Sequence, residues 1–234
     1  MHDSHSDPNL RAVLWDLDGT LTDTMTSHFR AWREVLAGEG YALGWEAFAA
    51  SFGQRNDSAL CSMLGTDLPA SEVQRISAIK EERFRALVRE EGLQLLPGVA
   101  ARLRASRDSG WRQALVTSAP RANAETMLGV LGIAGFFGAV VTGDDVALGK
   151  PHPQPFLAAA DALKVLPSRC LVVEDSPSGI DAARRAGMRS VAVGPAHASL
   201  PATLRVASLA DLSPDAFEAL IAPATTDTSP QATA

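Results

Sequence analysis

Cysteine is nearly absent from this sequence: Cys61 and Cys170 are the only two in 234 residues. Two isolated thiols build neither a disulfide framework nor a cysteine zinc site, and they fit a reducing cytosol. No stretch approaches the roughly 20 consecutive apolar residues of a membrane span. The polar start at His2, Asp3, His5 and Asp7 carries no secretory pattern. The expectation is a cytoplasmic protein, neither secreted nor inserted in a membrane. Positive charge is also scarce: 21 Lys and Arg against 27 Asp and Glu leave a formal net charge of -6, with no basic cluster. Nucleic acid is therefore not an expected partner, because a polyanion needs a positive patch to hold it. The same acidity repels small anions, so a phosphate ester would need a local cation or a metal to enter a site.

What is present is the composition of a folding chain, with 46% hydrophobic and 21% charged residues. Arg11 to Trp15 is a short apolar run ended by the acidic, glycine-containing stretch Asp16 to Thr20, the pattern of a buried strand entering a loop. From Asp23 to about Gly92 the apolar residues recur at helical spacing, in Phe29, Trp32, Val35 and Leu36 and again in Ile76, Ile79, Phe84 and Leu87, with shorter helices around Phe48 and Leu60 to Leu64. After Pro97 and Gly98, helices alternate with apolar runs at Ala114–Thr117, Ala139–Thr142, Cys170–Val173 and Ser190–Val193. Such alternation predicts an α/β fold with a Rossmann-like, doubly wound parallel sheet. Residues 1–22 and 93–221 would form that core and 23–92 an inserted α-helical cap. The Pro-, Thr- and Ala-rich stretch 222–234 reads as a disordered tail.

The chemistry-bearing residues fall at the strand ends, where parallel sheets bind ligands. Asp16 and Asp18 flank Leu17 directly after the first strand, so both carboxyl groups can turn into one small space. A divalent cation there would keep one ionised as a nucleophile and leave the other to carry a proton. Glu174-Asp175-Ser176 ends another strand just before a helix; its adjacent carboxylates suit magnesium, although Asp175 or Ser176 could simply cap that helix. Thr117-Ser118 ends a third strand and could hold a phosphoryl oxygen or cap a helix. Lys150 lies between Gly149 and Pro151, which stiffen its loop, and a fixed ammonium could neutralise a transferring phosphoryl group.

The order Asp-x-Asp, hydroxyl, Lys, Glu-Asp is more specific than any of its parts, and with it the chain resembles the haloacid dehalogenase-like hydrolases. The likeness runs from about Arg11 to Gly194. It is to the subgroup with a helical cap after the first strand, typified by sugar phosphatases and β-phosphoglucomutase. It rests on Asp16-Leu17-Asp18-Gly19-Thr20-Leu21-Thr22-Asp23, Lys150-Pro151, and Glu174-Asp175-Ser176-Pro177-Ser178-Gly179-Ile180 with Ala186-Gly187-Met188. The resemblance implies that Asp16 is phosphorylated and that Asp18 protonates the leaving oxygen, then activates water. It also implies that Thr117 and Lys150 hold the phosphoryl group, with Ser118, Gly19 and Thr20 beside the substrate. Mg2+ would sit on Asp16, the Asp18 carbonyl and Asp175, with Glu174 in support. An acid at position 18 argues against the dehalogenase branch, which lacks it.

Within the subgroup, His28-Phe29-Arg30-Ala31-Trp32 and Arg55-Asn56-Asp57-Ser58 are similar to the first cap helix and substrate-facing loop of β-phosphoglucomutase, which keeps a mutase in view. Phe29 and Trp32 also read simply as core of the cap, and His28 as an exposed residue or a hinge contact. Two departures favour hydrolysis: Ser51 or a neighbour stands where the mutase places a cap lysine, and Ser118-Ala119-Pro120-Arg121-Ala122-Asn123 replaces a Ser-Lys-Asn run. A binding module without turnover would have no use for a nucleophile beside a metal site. The expected activity is a magnesium-dependent phosphatase of small phosphorylated metabolites, with Arg55 as a cap contact to substrate.

Overall fold

The computed structural model of the chain describes residues 10–51, 56–65 and 67–221. The Arg55 and 222–234 expectations lie outside those residues. Six parallel strands form one sheet: β1 (Ala12–Trp15), β2 (Arg112–Val116), β3 (Ala139–Val141), β4 (Cys170–Glu174), β5 (Arg189–Ala192) and β6 (Leu204–Arg205). Their order is β3-β2-β1-β4-β5-β6, so the chain winds outward to β3, returns to the centre and winds out the other way. The expected doubly wound sheet is what forms. The two-residue strand β6, at the edge, left no apolar run in the sequence long enough to read.

Alternate strand residues face opposite sides, as the two-residue period of a strand requires. Val13, Trp15, Leu115, Leu171, Val173 and Val191 point to one face, and Ala12, Leu14, Ala114, Val116, Cys170 and Val172 to the other. The first face is covered by α5 (Val99–Asp108), α6 (Arg121–Leu131) and α9 (Ala216–Leu220), the second by α7 (Gln154–Ala162) and α8 (Pro177–Arg185). Burial on both faces is why these strands read as continuous apolar runs and not as alternating ones.

Between β1 and α5 the described residues form four helices: α1 (Met25–Gly38), α2 (Trp45–Ser51), α3 (Asn56–Leu64) and α4 (Ala70–Glu91). Trp32, Leu36, Phe48, Leu60, Met63 and Ile76 give them an apolar core of their own. Helix α4 serves two cores. Its first half buries Ile76 among the other three helices, whereas Phe84, Leu87 and Val88 pack with the sheet's residues. Ile79, expected on the buried stripe, is instead 43% exposed, because the stripe runs through Ile76, Lys80 and Phe84. The chain's two crossings between helices and sheet lie side by side: Leu96 N donates to Leu21 O at 2.9 Å and Thr22 Oγ1 to Gln94 O at 2.8 Å.

Beneath β1, a buried glutamine ties the sheet to α5. Trp15 Nε1 donates to Gln113 Oε1 at 2.9 Å, and Gln113 Nε2 donates to Leu103 O at 3.0 Å. Gln113→Leu would keep the volume but leave the Trp15 N–H unpaired in the core and take from the Leu103 carbonyl the bond that it makes beyond its own helix. It should lower stability by ~2–4 kcal/mol, read as a fall in urea midpoint at constant m-value. An unchanged midpoint would contradict this role.

Candidate active site

Strand register brings three residues to one level at the centre of the sheet. Trp15 pairs with Leu115 and Val173, so the next residues along, Asp16, Val116 and Glu174, emerge side by side where the strand order reverses. Into this point reaches Lys150, whose Nζ donates to Asp16 Oδ1 at 2.5 Å, to Glu174 Oε1 at 2.8 Å and to the Val116 carbonyl at 3.0 Å. Burial alone would discharge that ammonium, but Asp16 and Glu174 outweigh it and hold the lysine pKa above its ordinary value. The loop that carries Lys150 is clasped to the start of α6. Gly143 N donates to Ala119 O at 3.0 Å, Arg121 N to Asp144 Oδ2 at 2.8 Å, and the Arg121 guanidinium to Asp145 Oδ2 at 2.5 Å.

Glu174 is fixed on both oxygens. Oε1 meets Lys150, Oε2 accepts from Ser176 N at 2.6 Å, and a Cβ on Gly179 would stand only 1.8 Å from Oε1. Asp175 is held less tightly, by Thr20 Oγ1 at 3.3 Å. Gly19 passes so close that a Cβ there would fall 2.1 Å from Asp175 Oδ2, and its φ of +84° is one that glycine adopts without strain. Ser176 caps α8, accepting from Gly179 N at 3.0 Å, so the helix start is satisfied without Asp175.

Ligand atoms of Asp16, Glu174 and Asp175 all lie within 4.8 Å of one another. Three carboxylates against one lysine leave negative charge in excess. Burial, with Glu174 and Asp175 nearby, raises the Asp16 carboxyl well above the aspartate range despite Lys150, and burial with Glu174 pushes Asp175 up to about 7. A divalent cation relieves that repulsion, and hard oxygen donors are the set it takes. The residues therefore fit such a metal.

Thr117, just past β2, is buried. Its Oγ1 accepts from Ala119 N at 3.0 Å, a bond that uses the oxygen of the hydroxyl and not its proton. Ser118 is exposed at the lip.

The Asp18 side chain turns toward the helices, to Thr24 and His28. Oδ1 accepts from Thr24 Oγ1 and lies 3.7 Å from His28 Nε2. Burial would raise its pKa, but His28 and Thr24 outweigh burial and lower it. His28, far from exposed, stacks on Phe84 with ring centroids 3.9 Å apart, and its Nδ1 lies 2.9 Å from Lys80 Nζ. Burial and Lys80 lower the His28 pKa and so favour the neutral ring. With Nδ1 accepting from the ammonium, the ring proton sits on Nε2, toward Asp18.

The haloacid dehalogenase-like hydrolase family profile matches residues 10–187. The chain belongs to that family. It is 36% identical to a phosphoglycolate phosphatase of Salmonella typhimurium over 78% of this chain and 81% of that one. Among solved structures it resembles CbbY of Rhodobacter sphaeroides in complex with xylulose 1,5-bisphosphate, with TM-score 0.80 and 28% identity over 87% of this chain and 96% of the other. It also resembles a β-phosphoglucomutase of Clostridium difficile, with TM-score 0.81 and 28% identity over 91% and 97% of the two chains. Hydrolases of this family use a divalent metal, and the cluster of Asp16, Glu174 and Asp175 offers it ligands.

The structure thus gathers Asp16, Lys150, Glu174, Asp175, Thr20 and Gly19 at one point, with Thr117 at the adjoining strand end. Thr24 and Lys80 were not singled out from sequence. Lys80 had a signal: it stands four residues from both Ile76 and Phe84, a charge on an apolar stripe.

The raised Asp175 pKa makes a prediction for the metal-free protein. Folding lifts this carboxyl from the ordinary 3.8 to about 7, so its contribution to stability is full below about pH 4 and is lost as pH rises through about 7. Relative to Asp175→Asn, which does not titrate, EDTA-treated protein should lose thermal stability between about pH 5 and pH 8, and saturating divalent metal should remove the loss. Parallel melting profiles for the two proteins would contradict the crowded-carboxylate reading.

Proposed function

We propose that this hydrolase is a magnesium-dependent phosphatase of small phosphorylated metabolites, sugar phosphates foremost, that works through a phosphorylated Asp16. The observation that carries the reading is the Asp16 carboxylate oriented by Lys150 beside an acidic cluster, with a second acid, Asp18, two residues on and held by Thr24 and His28. In the first step a carboxylate oxygen of Asp16 attacks phosphorus, the ester P–O bond breaks, and Asp18 delivers its proton to the departing oxygen. In the second, water gives a proton back to Asp18 and attacks the aspartyl phosphate, releasing inorganic phosphate and restoring Asp16. Without substrate Asp18 is held ionised; a bound phosphate brings negative charge and displaces water, which pushes its carboxyl up so that it takes a proton from solvent as the ester binds and then passes it to the leaving oxygen. Thr117 and Lys150 hold phosphoryl oxygens, and a divalent cation on Asp16, Asp175 and the Asp18 carbonyl, backed by Glu174, supplies further charge stabilisation when bound.

The helices of residues 23–92 act as the lid that excludes water and selects the leaving group. Two contacts favour hydrolysis over a mutase, which must grip a second phosphate. Ser51 is buried and its Oγ donates to Phe48 O at 2.8 Å within the cap. The Arg121 guanidinium is committed to Asp145 and the Val140 carbonyl. One relative is named for phosphoglycolate and another is bound to xylulose 1,5-bisphosphate, both small phosphorylated metabolites although different in size.

Asp16→Asn keeps the shape and removes the nucleophile. It should cut hydrolysis across a phosphorylated-metabolite panel by a factor on the order of 10³ or more with the circular dichroism spectrum unchanged, while EDTA silences the native enzyme reversibly. Substantial turnover by the folded variant would refute the covalent route.

A further inference from the structure

A buried carboxylate that these steps do not use lies at the seam between the helices and the sheet. Glu81 on α4 is 8% exposed and Asn123, in the first turn of α6, 1%. Glu81 Oε1 accepts from Lys80 Nζ at 2.9 Å and from Asn56 Nδ2 at 2.7 Å, and Oε2 accepts from Asn123 Nδ2. Asn123 Oδ1 accepts from Arg85 Nη1 at 2.9 Å. The amide of Asn123 is thereby oriented, with its oxygen on a guanidinium and its nitrogen on a carboxylate. On the far side of Lys80 stands His28, and beyond it Asp18. An unbroken polar chain runs from the helix that follows Thr117 through Asn123, Glu81, Lys80 and His28 to Asp18.

Each link depends on the next. A buried ammonium without a counter-ion gives up its proton or swings toward water, so Lys80 stays against His28 only while Glu81 holds it. Glu81 has several rotamers, and its bond to Asn123 fixes one of them to the sheet's own layer of helices. Asn56 opens α3, so the same carboxylate also sets the position of a second cap helix. We propose that Glu81 and Asn123 are positioning residues that lock Lys80 and His28 against Asp18 and hold the cap in register with the phosphate-binding end of the sheet. The inference rests on Asp18 being the proton donor.

The test is a split between leaving groups. An aryl phosphate such as p-nitrophenyl phosphate expels a stable phenolate and needs little protonation, whereas an alkyl phosphate expels an alkoxide and needs a well-placed acid. Glu81→Gln should lower kcat/KM, which reports expulsion of the leaving group and not the later hydrolysis of the aspartyl phosphate that both esters share, by about tenfold or more on an alkyl phosphate while changing the aryl ester by less than about threefold. Adding Asn123→Asp returns a negative charge to the seam, exchanges donor and acceptor across it and keeps an acceptor for Arg85, so the double variant should recover part of the loss, about threefold or more, whereas Asn123→Asp alone should be slow. Equal losses on both esters, no loss, or no recovery in the double variant would overturn the proposal. If Glu81→Gln does not fold, Asn123→Ala, which leaves the Lys80–Glu81 pair in place, is judged by the same split. Asp18→Asn separates the two ideas: it must itself favour the aryl ester if Asp18 is the donor. An Asp18→Asn split without a Glu81→Gln split defeats the inference alone, whereas no split in Asp18→Asn defeats the reading beneath it.

Discussion

One ammonium group holds the site together. Lys150 Nζ touches two carboxylates and a strand-end carbonyl, all buried, at the point where the sheet reverses direction. Removing one partner from a buried ion pair costs about 3–5 kcal/mol, because the other is left charged without water. Without Lys150, the burial and neighbouring carboxylates that already raise the Asp16 carboxyl would act unopposed, to the loss of the proposed nucleophile. The surrounding structure serves this contact: the β1, β2 and β4 register sets Asp16, Val116 and Glu174 level, the Asp144 and Asp145 clasp delivers the lysine loop, and the bare Cα of Gly179 leaves room for Glu174.

Asp16 and Asp18 are the same residue type two positions apart, and their surroundings drive them in opposite directions. Burial and neighbouring carboxylates raise Asp16, while His28 and Thr24 lower Asp18 against its burial. Divergent environments for paired acids are how one site assigns distinct roles to them. The division follows the architecture, since Asp16 belongs to the sheet and its lysine, and Asp18 to the helices and theirs. Two buried lysine–carboxylate pairs, Lys150–Asp16 at the sheet and Lys80–Glu81 in the helices, accordingly stand one in each layer.

The sheet was readable because β1, β2, β4 and β5 are largely buried on both faces, and because each ends in residues that punctuate a chain. Asp16, Lys150, Glu174 and Asp175 were readable for a related reason: they sit within a residue or two of a strand end, or in a short glycine- and proline-bounded loop, so position along the chain gives position in space. The seam between helices and sheet was not. Glu81 and Asn123 lie 42 positions apart and meet only through packing of α4 on α6, a contact that no local period encodes. His28 read as a surface or hinge residue because the Phe84 ring that buries it is supplied from a distant helix. The direction of the Asp18 side chain was hidden likewise, since the turn at Gly19 and the partner Thr24 decide it, not the Asp-x-Asp spacing.

The central claim is that the phosphoryl group passes through a covalent bond to Asp16. Mixing enzyme with excess substrate and metal, quenching within milliseconds in acid and mapping peptides by mass spectrometry tests it directly. Phosphate on the peptide containing Asp16, located at that residue and discharged when the quench is preceded by a substrate-free chase, is the result this account requires. Phosphate on another residue, or none at any time while product accumulates in a burst, would contradict it.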